Sequence, residues 1–282
     1  MTELVGQVRA ALAARKAEPA SRLGYFCAPF RPAEGPLTDK VIKAYRGGRD
    51  PELLELLARR HEAYLDCLTL AGVRVPDTRF LLLNEHGFLR PVIVQDAVDT
   101  ASGGALLSDV LPRVDAATAR MALDEVSAMV AGFWRKVAQR PERIGLHAAV
   151  RDFALDDDGP LFLDTFPPLI SYSREDMGRL LLRFSESGLI RGIGAILPGR
   201  VREIQDAWYS PSGSLLTLIE GAIRLRPAEE AQGLREWGAA VAADRLPDAE
   251  RDRLVASLLR TRPAMRPSRR GLKLGSNPRP NA

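Results

Sequence analysis

The chain has 282 residues, of which 46% are apolar and 27% are charged. This balance is typical of a globular protein with one large domain or two smaller ones, and it excludes a fibrous, collagen-like or wholly disordered chain. Because the sequence has no apolar run of about 18 residues and no secretory signal pattern, we expect no membrane partner. Its two cysteines, Cys27 and Cys67, are too few for a disulfide framework, so a cytoplasmic location is expected.

The net charge of +4 comes from 40 Lys and Arg residues against 36 Asp and Glu residues. Residues 261–282 hold six of the basic residues and no acidic one, so the rest of the chain has 34 basic and 36 acidic residues. Nucleic-acid-binding domains normally carry a basic face, so nucleic acid is an unlikely partner. Residues 263–282 are interpreted as a disordered basic tail.

The first part of the chain is predicted to be rich in strands with embedded helices. A helix begins near Thr2, and a second follows the capping pair Asp50-Pro51 and stops at Gly72. Short β-prone runs and a turn at 84–87 complete this part. The predicted segments are a helix over 2–16, a strand over 40–45, a helix over 50–72, and strands over 78–83 and 89–97.

After residues 98–108 the pattern becomes mainly helical, with one hairpin near its start. The Asp-Gly pair at 158–159 is a strong tight-turn signal between apolar runs. We therefore predict an α+β protein with a strand-rich part over 1–97 and a helical part over 98–262. The predicted segments are helices over 116–138, 174–186, 197–208, 212–224, 228–243 and 248–260, and hairpin strands over 150–155 and 161–164.

Residues 144–168, IGLHAAVRDFALDDDGPLFLDTFPP, resemble the catalytic segment of the aminoglycoside phosphotransferase and choline kinase group of the protein-kinase-like superfamily. The resemblance implies a two-lobed protein-kinase-like fold, with a small β-rich N-lobe, a mainly helical C-lobe, and ATP and Mg²⁺ bound between them. Asp164 matches the metal-binding Asp of the group. Asp152 falls where the group has its metal-binding Asn, and His147 falls where it has its catalytic Asp.

The hairpin gives a physical reason for this spacing. Two strands joined by a tight turn bring their open ends side by side, so Asp152 and Asp164 come within reach of one ion. Carboxylate oxygens, phosphate oxygens and water suit Mg²⁺. The acids at 156–158 are assigned to a solvated turn, whereas Asp164 ends a buried apolar run and needs a partner.

The small lobe offers a candidate phosphate-binding lysine. Lys43 lies in the run VIKAY, which is similar to the V-A-I-K strand of kinases, and Lys40 is the alternative. Glu62 of the following helix is the first candidate to hold that lysine and Glu55 the second. A solvent-facing Glu62 is the other interpretation.

Residues 92–98 resemble the strand that leads into the kinase hinge. By this resemblance Gln95 would be the gatekeeper, and the backbone from Asp96 to Val98 would contact adenine. The other interpretation is an ordinary buried strand.

The sequence also departs from the family pattern. Between residues 22 and 37 only Gly24 and Gly35 are available for a phosphate loop, and His147 replaces the catalytic Asp. Three interpretations of His147 stay open: an imidazole that positions the acceptor, a mark of an inactive pseudokinase that binds a protein partner, or a core histidine. The predicted function is Mg²⁺-dependent phosphate transfer from ATP to a hydroxyl of a small molecule or peptide, with a scaffold pseudokinase as the alternative.

Overall fold

The computed structural model describes residues 2–15, 26–98, 103–184 and 198–260. The predicted tail at 263–282 and Gly24 lie outside the described residues. Within them the predicted α+β class is confirmed, with a small lobe built on a β-sheet and a mainly helical large lobe. In the described part of the chain, no helix is both long and apolar enough to cross a membrane. The domain boundaries at 97 and 262 stay predictions.

The small lobe consists of one antiparallel sheet and two helices. The sheet has three strands in the order β1-β3-β2. The first helix precedes the sheet, and the second connects β1 to β2. In chain order the elements are α1 (Thr2–Ala14), β1 (Lys40–Ala44), α2 (Pro51–Leu70), β2 (Thr78–Glu85) and β3 (Phe88–Asp96).

Local sequence signals fix the ends of α2. The Asp50 carboxylate accepts a hydrogen bond from the Leu53 amide at 3.1 Å, and Pro51 occupies the first turn. These features satisfy a free amide at the helix start and set the entry angle of the backbone. Gly72 follows the last turn with φ +80°, a conformation that glycine adopts without strain.

The two faces of the small sheet have different neighbours. Ile42, Val92 and Val94 form an apolar cluster with Val8 of α1. Successive strand residues alternate between faces, so Lys43 and residues 93 and 95 occupy the opposite face. Ile93 there joins the main core, which also includes the buried leucines of α2. The sheet therefore presents Lys43 and Gln95 to the side that meets the large lobe.

The large lobe combines a second small sheet with a set of helices. Its sheet has the order β4-β5-β6 and is antiparallel. The longest helix begins after Asp115, whose carboxylate accepts the Thr118 amide at 2.8 Å. The elements are β4 (Ala105–Leu106), α3 (Leu107–Val110), α4 (Ala116–Val137), β5 (Phe153–Asp156), β6 (Gly159–Phe162), α5 (Arg174–Phe184), α6 (Pro198–Trp208), α7 (Pro211–Leu225), α8 (Ala231–Arg245) and α9 (Asp248–Leu259).

The hairpin is shorter than predicted. Residues 150–152 form a 3₁₀ turn instead of extending β5, and β6 ends at Phe162. Gly159 takes a φ of +102° at the tight turn, as the Asp-Gly signal indicates. One further backbone hydrogen bond, from the Leu163 amide to the Asp152 carbonyl at 2.8 Å, holds the open end together. Asp152 and Asp164 therefore lie just beyond the paired strands, at the open end.

Both lobes contribute to one continuous core. Leu54 of α2 and Ile93 of β3 belong to the same buried cluster as Phe133, Phe153 and Phe166 of the large lobe. All five are essentially inaccessible to water. Burying such side chains is the main source of stabilisation of a fold of this size, so the lobes are held together by the same force that folds each of them.

Candidate active site

Three side chains with ligating atoms meet at the open end of the hairpin. One ligating atom from each of His147, Asp152 and Asp164 lies within 4.8 Å of the others. His147 Nδ1 is 2.9 Å from Asp152 Oδ2. The Asp152 side chain is buried, and the His147 side chain is 17% exposed with its ring centroid 5.2 Å from that of Trp208. The structure thus brings together the three residues that the sequence analysis proposed as catalytic.

Backbone hydrogen bonds fix the loop that carries His147 and Asp152. The Ala149 amide donates to Asp152 Oδ2 at 3.2 Å. Nearby, the Leu146 amide donates to the Trp208 carbonyl at 2.8 Å, and Ser214 Oγ donates to the Leu146 carbonyl at 2.7 Å. Because α6 and α7 hold Leu146 on both sides, the loop is anchored to the large lobe.

The negative charge of Asp152 disfavours ionisation of Asp164 in this cluster. Burial raises the pKa of Asp164 to about 6, and the charge of Asp152 adds to the effect, while Lys43 and His147 oppose it. For His147, burial disfavours the charged form, but the charge of Asp152 and its hydrogen bond outweigh burial, so the pKa of His147 is raised. Two neighbouring carboxylates in a buried place are the arrangement that a cation relieves.

Lys43 reaches this cluster from the small lobe. Its Nζ donates to Gln95 Oε1 at 2.9 Å and to the Leu163 carbonyl at 2.6 Å. Burial lowers the pKa of Lys43, while the negative charge of Asp164 acts in the opposite direction. Lys40, the alternative candidate, instead forms ion pairs with Asp39 and Asp96. Lys40 is three positions away on the same strand, so the alternation of the strand places it on the opposite face.

Gln95 is buried and held in one orientation. Its Nε2 donates to Thr78 Oγ1 at 2.9 Å, while its Oε1 accepts from Lys43. The Asp96 amide that follows donates to the Asp77 carbonyl at 2.9 Å. Among the proposed hinge residues, that amide is therefore already used inside the protein.

Asp96 and Val98 line a cavity of about 550 Å³ between the loop after α2 and the hairpin. Arg74 and Asp156 are among its other lining residues, and neither Lys43 nor Asp164 is. The cavity is therefore separate from the cluster of charged groups described above.

The structure does not bring Glu62 to Lys43. Glu62 is exposed, as is Glu55. The buried face of α2 is instead a stripe at helical spacing that contains Leu57, His61 and Tyr64. Glu62 directly follows His61 in sequence, so it is rotated from His61 by about 100° around the helix axis and lies on a different face of α2.

His61, the residue before Glu62, is the buried member of this part of α2. Its Nε2 lies 2.9 Å from Thr165 Oγ1, in the segment directly after Asp164. Its Nδ1 is buried with no hydrogen-bond partner among the described residues. Burial, with the charge of Lys43 as a second cause, lowers the pKa of His61 to about 3, so the imidazole is neutral. The apolar residues of α2 at helical spacing were the sequence signal that could have predicted a buried His61.

Aromatic rings pack after Asp164. Phe166 stacks on Tyr45 with a centroid distance of 3.8 Å, and its edge contacts involve Phe184 at 5.5 Å and Phe26 at 6.1 Å. These rings come from four separate segments, and the sequence analysis did not connect them. They place the segment that carries Asp164 against both lobes.

Comparison with known proteins identifies the family. Residues 3–268 match the model described as "Family of unknown function (DUF6206)". No curated protein matches the chain. A solved structure titled "WaaP in complex with acyl carrier protein" is similar at 16% identity and a TM-score of 0.30, covering 78% of this chain and 80% of that one. The resemblance to the aminoglycoside phosphotransferase and choline kinase group stays a prediction. The chain belongs to family DUF6206, because the family model spans nearly its whole length.

Proposed function

We propose that this protein is a divergent kinase-like phosphotransferase that moves phosphate from ATP to a hydroxyl of a small molecule or peptide and depends on Mg²⁺. One observation carries the proposal. Lys43 of the small lobe reaches the Leu163 carbonyl, beside a cluster in which ligating atoms of buried Asp152 and half-buried Asp164 and His147 lie within 4.8 Å of one another. A lysine from one lobe that contacts phosphates, and two carboxylates from the other that hold a metal ion, are the groups that orient a triphosphate and balance its charge.

Asp152 and Asp164 fit a divalent cation. Each carboxylate offers hard oxygen ligands. Burial, with the charge of Asp152 as second cause, raises the pKa of Asp164, and a bound cation would favour its ionised form. Mg²⁺ held by Asp152 and Asp164 would supply positive charge against the phosphates of the nucleotide. Lys43 would contribute a second positive charge to the same phosphates.

His147 is suited to face the acceptor. With Nδ1 hydrogen-bonded to Asp152, the Nε2 lone pair is left for the acceptor hydroxyl. The hydroxyl oxygen would form the new bond to the γ-phosphorus as the bond to the leaving diphosphate breaks, and Nε2 would take the proton. The hydrogen bond to Asp152 would then stabilise the imidazolium.

Further residues would position these groups. His61 of α2 contacts Thr165 and would position the segment after Asp164, whereas the ammonium of Lys43 is held by Gln95 and the Leu163 carbonyl. Gln95 fixes the Lys43 ammonium and would lie at the inner end of the adenine site. The carbonyl of Asp96 and the amide of Val98 would contact adenine.

A pseudokinase that serves as a binding or scaffold partner is the second candidate. It is favoured by the two hydrogen bonds of the Lys43 ammonium, which go to an amide oxygen and a backbone carbonyl. In the described chain no carboxylate of α2 binds this ammonium, so phosphate binding must compete with interactions that are already satisfied.

The test is the melting temperature of the full chain with and without Mg·ATP. Ligand at about 100 times its Kd adds about 2.7 kcal/mol to the free energy of unfolding. We expect this gain in the natural protein and its loss in Asp164→Asn. Asp157→Asn, an exposed acid in the hairpin turn, is the matched control and should keep the gain.

The outcomes separate the two candidates. A gain that requires Mg²⁺, with nucleotide consumed in the presence of a hydroxyl acceptor, supports the phosphotransferase. A gain without consumption supports the pseudokinase. No gain with any nucleotide contradicts the proposed function.

A further inference from the structure

Apart from the cluster of His147, Asp152 and Asp164, a group of positively charged and aromatic side chains lies beside the loop that carries His147. Arg60 of α2 places its guanidinium carbon 3.9 Å from the ring centroid of Tyr172. Arg143, four residues before His147, places its guanidinium carbon 3.4 Å from the ring centroid of Tyr209. We call these four residues, Arg60, Arg143, Tyr172 and Tyr209, the arginine–tyrosine cluster.

The two arginines come from different lobes and meet at Tyr172. Arg143 Nη1 donates to the Tyr172 carbonyl at 3.2 Å, while Arg60 covers the Tyr172 ring. The charges of both arginines act on the Tyr209 hydroxyl. The cluster therefore concentrates two positive charges in one place.

Neither arginine is neutralised by a carboxylate within 4.0 Å in the part of the chain that the structure describes. Arg174, which lies close by, is different, because its Nη2 is 2.6 Å from Asp206 Oδ1. Burial lowers the pKa of Arg143, and the neighbouring charge of Arg174 adds to the effect. The charge of Asp206 also acts on Arg143, but the Asp206 carboxylate pairs with Arg174, so in the described residues neither arginine of the cluster has a carboxylate partner of its own.

The cluster also has hydrogen-bond donors to spare. Arg60 also forms a side-chain hydrogen bond with the Tyr172 hydroxyl. Because a guanidinium has more N–H donors than these contacts use, further N–H groups of both arginines stay available for an oxyanion. The remaining Arg143 contact, from Nη2 to Gln205 Oε1, is long at 3.4 Å. The Tyr209 hydroxyl is buried and has no hydrogen-bond partner among the described residues.

The cluster adjoins the proposed catalytic loop. Gly145 packs so closely on Tyr209 that a side-chain carbon at Gly145 would lie 2.9 Å from ring carbon Cδ1. The four peptide steps from Arg143 to His147 span at most about 14 Å. A molecule with one end at His147 could therefore place a second group at the cluster.

We propose that the arginine–tyrosine cluster binds a phosphate group, and that this group is carried by the acceptor whose hydroxyl faces His147. Two guanidiniums and a phenol hydroxyl suit a tetrahedral dianion, because arginine forms paired, charge-assisted hydrogen bonds with phosphate. The assignment to the acceptor rests on the proposed function. Phosphate binding by the cluster does not.

The probe is inorganic phosphate, added without Mg²⁺ or nucleotide at constant ionic strength, with the melting temperature as readout. We expect a saturable rise in the natural protein, and acetate at equal ionic strength should give a smaller one. Arg60→Gln should raise the half-saturating phosphate concentration about tenfold or more, because a charge-assisted pair is lost. Arg179→Gln removes an exposed, ion-paired arginine of α5 and is the matched control that should behave like the natural protein.

Phosphate also stabilises proteins through general exclusion from their surface. A rise that does not saturate and is equal in Arg60→Gln overturns the proposal, as does a saturable rise that Arg60→Gln leaves unchanged. If Arg60→Gln does not fold, Arg143→Lys keeps the charge, removes the planar fork, and should also weaken phosphate binding.

Asp164→Asn separates this proposal from the proposed function. It should remove the response to Mg·ATP and leave the response to phosphate intact. A phosphate response that is lost in Asp164→Asn assigns the phosphate to the metal site and overturns the proposal. A normal phosphate response in a protein that never responds to Mg·ATP contradicts the proposed function alone.

Discussion

The two ends of the β5–β6 hairpin carry acidic residues in opposite electrostatic settings. At the turn, Arg74 donates to both oxygens of Asp156, at 2.8 and 3.1 Å. Those hydrogen bonds, the largest cause, hold the pKa of Asp156 below its ordinary value. At the open end, burial and the charge of Asp152 raise the pKa of Asp164 to about 6.

This difference separates an acid that supports the fold from one that is a candidate for ligand binding. The hydrogen bonds from Arg74 favour the ionised form of Asp156, so this carboxylate stabilises the fold at neutral pH. The open-end carboxylate costs free energy when it ionises, and groups kept at such a cost concentrate at sites that bind ligands. The same short hairpin therefore places Asp156 at its turn and Asp164 beyond its open end, in opposite electrostatic settings.

The largest expected effect is on catalysis through Lys43, which joins the open end to the small lobe. Lys43→Met should lower the rate of nucleotide consumption by about 10²–10³, the usual cost of removing one preorganised charge from a reaction site. The matched control is Lys40→Met, which changes a lysine of the same strand whose ion pairs are with Asp39 and Asp96. Equal losses in the two variants would contradict the assignment of Lys43.

The next effect is on the stability of the ligand-free protein. At pH 7.5, Asp164→Asn should raise the free energy of unfolding by up to about 3 kcal/mol, because the ionised form is disfavoured in the folded state. Asp156→Asn should lower it by about 1 kcal/mol or less, since the pair with Arg74 is partly exposed. Chemical denaturation of each variant measures both values.

The pH dependence fixes the sign of the Asp164 effect. Its folded pKa of about 6 lies above the ordinary value of 3.8. Its contribution is therefore fully present below pH 3.8 and is lost as the pH rises through 6. The advantage of Asp164→Asn should grow from pH 4 to pH 7, and an advantage that shrinks over this range would contradict the raised pKa.

The smallest effect concerns His61, which holds the segment beyond the open end. Its pKa is lowered from 6.5 to about 3, so only the unfolded chain takes up a proton as the pH falls below 6.5. Stability should fall by about 2 kcal/mol from this group between pH 7 and pH 5. His61→Gln should flatten the dependence, and the comparison is best made in Asp164→Asn, where the opposing titration of Asp164 is absent and that of His147 is common to both proteins compared. A slope that His61→Gln leaves unchanged would contradict the buried neutral imidazole.

The sequence predicted the elements that depend on short-range signals. The Asp50-Pro51 start of α2 and the Asp-Gly turn of the hairpin both act within four residues, and both are found in the structure. The proximity of Asp152, Asp164 and His147 could also be predicted from the sequence, because a tight turn determines which residues meet at the open end of a hairpin.

The contacts between the lobes were harder to predict from the sequence. The choice of His61 over Glu62 depends on a rotation of α2 of about one residue, which a pattern of apolar residues defines only approximately. The stacking of Phe166 on Tyr45 joins residues about 120 positions apart in sequence, and no local signal encodes such a pair. The Arg60–Tyr172 contact is of the same kind.

The packing of Val8 on the outer face of the small sheet has a practical consequence. Because α1 packs on one face of the sheet and the main core packs on the other, side chains on both faces of the strands are packed against other residues. His86 and Gly87 lie beyond the last paired residues of β2 and β3 and are exposed. This turn is thus a place in the small lobe where a fluorophore or an affinity tag can be attached with little disturbance of the packed layers.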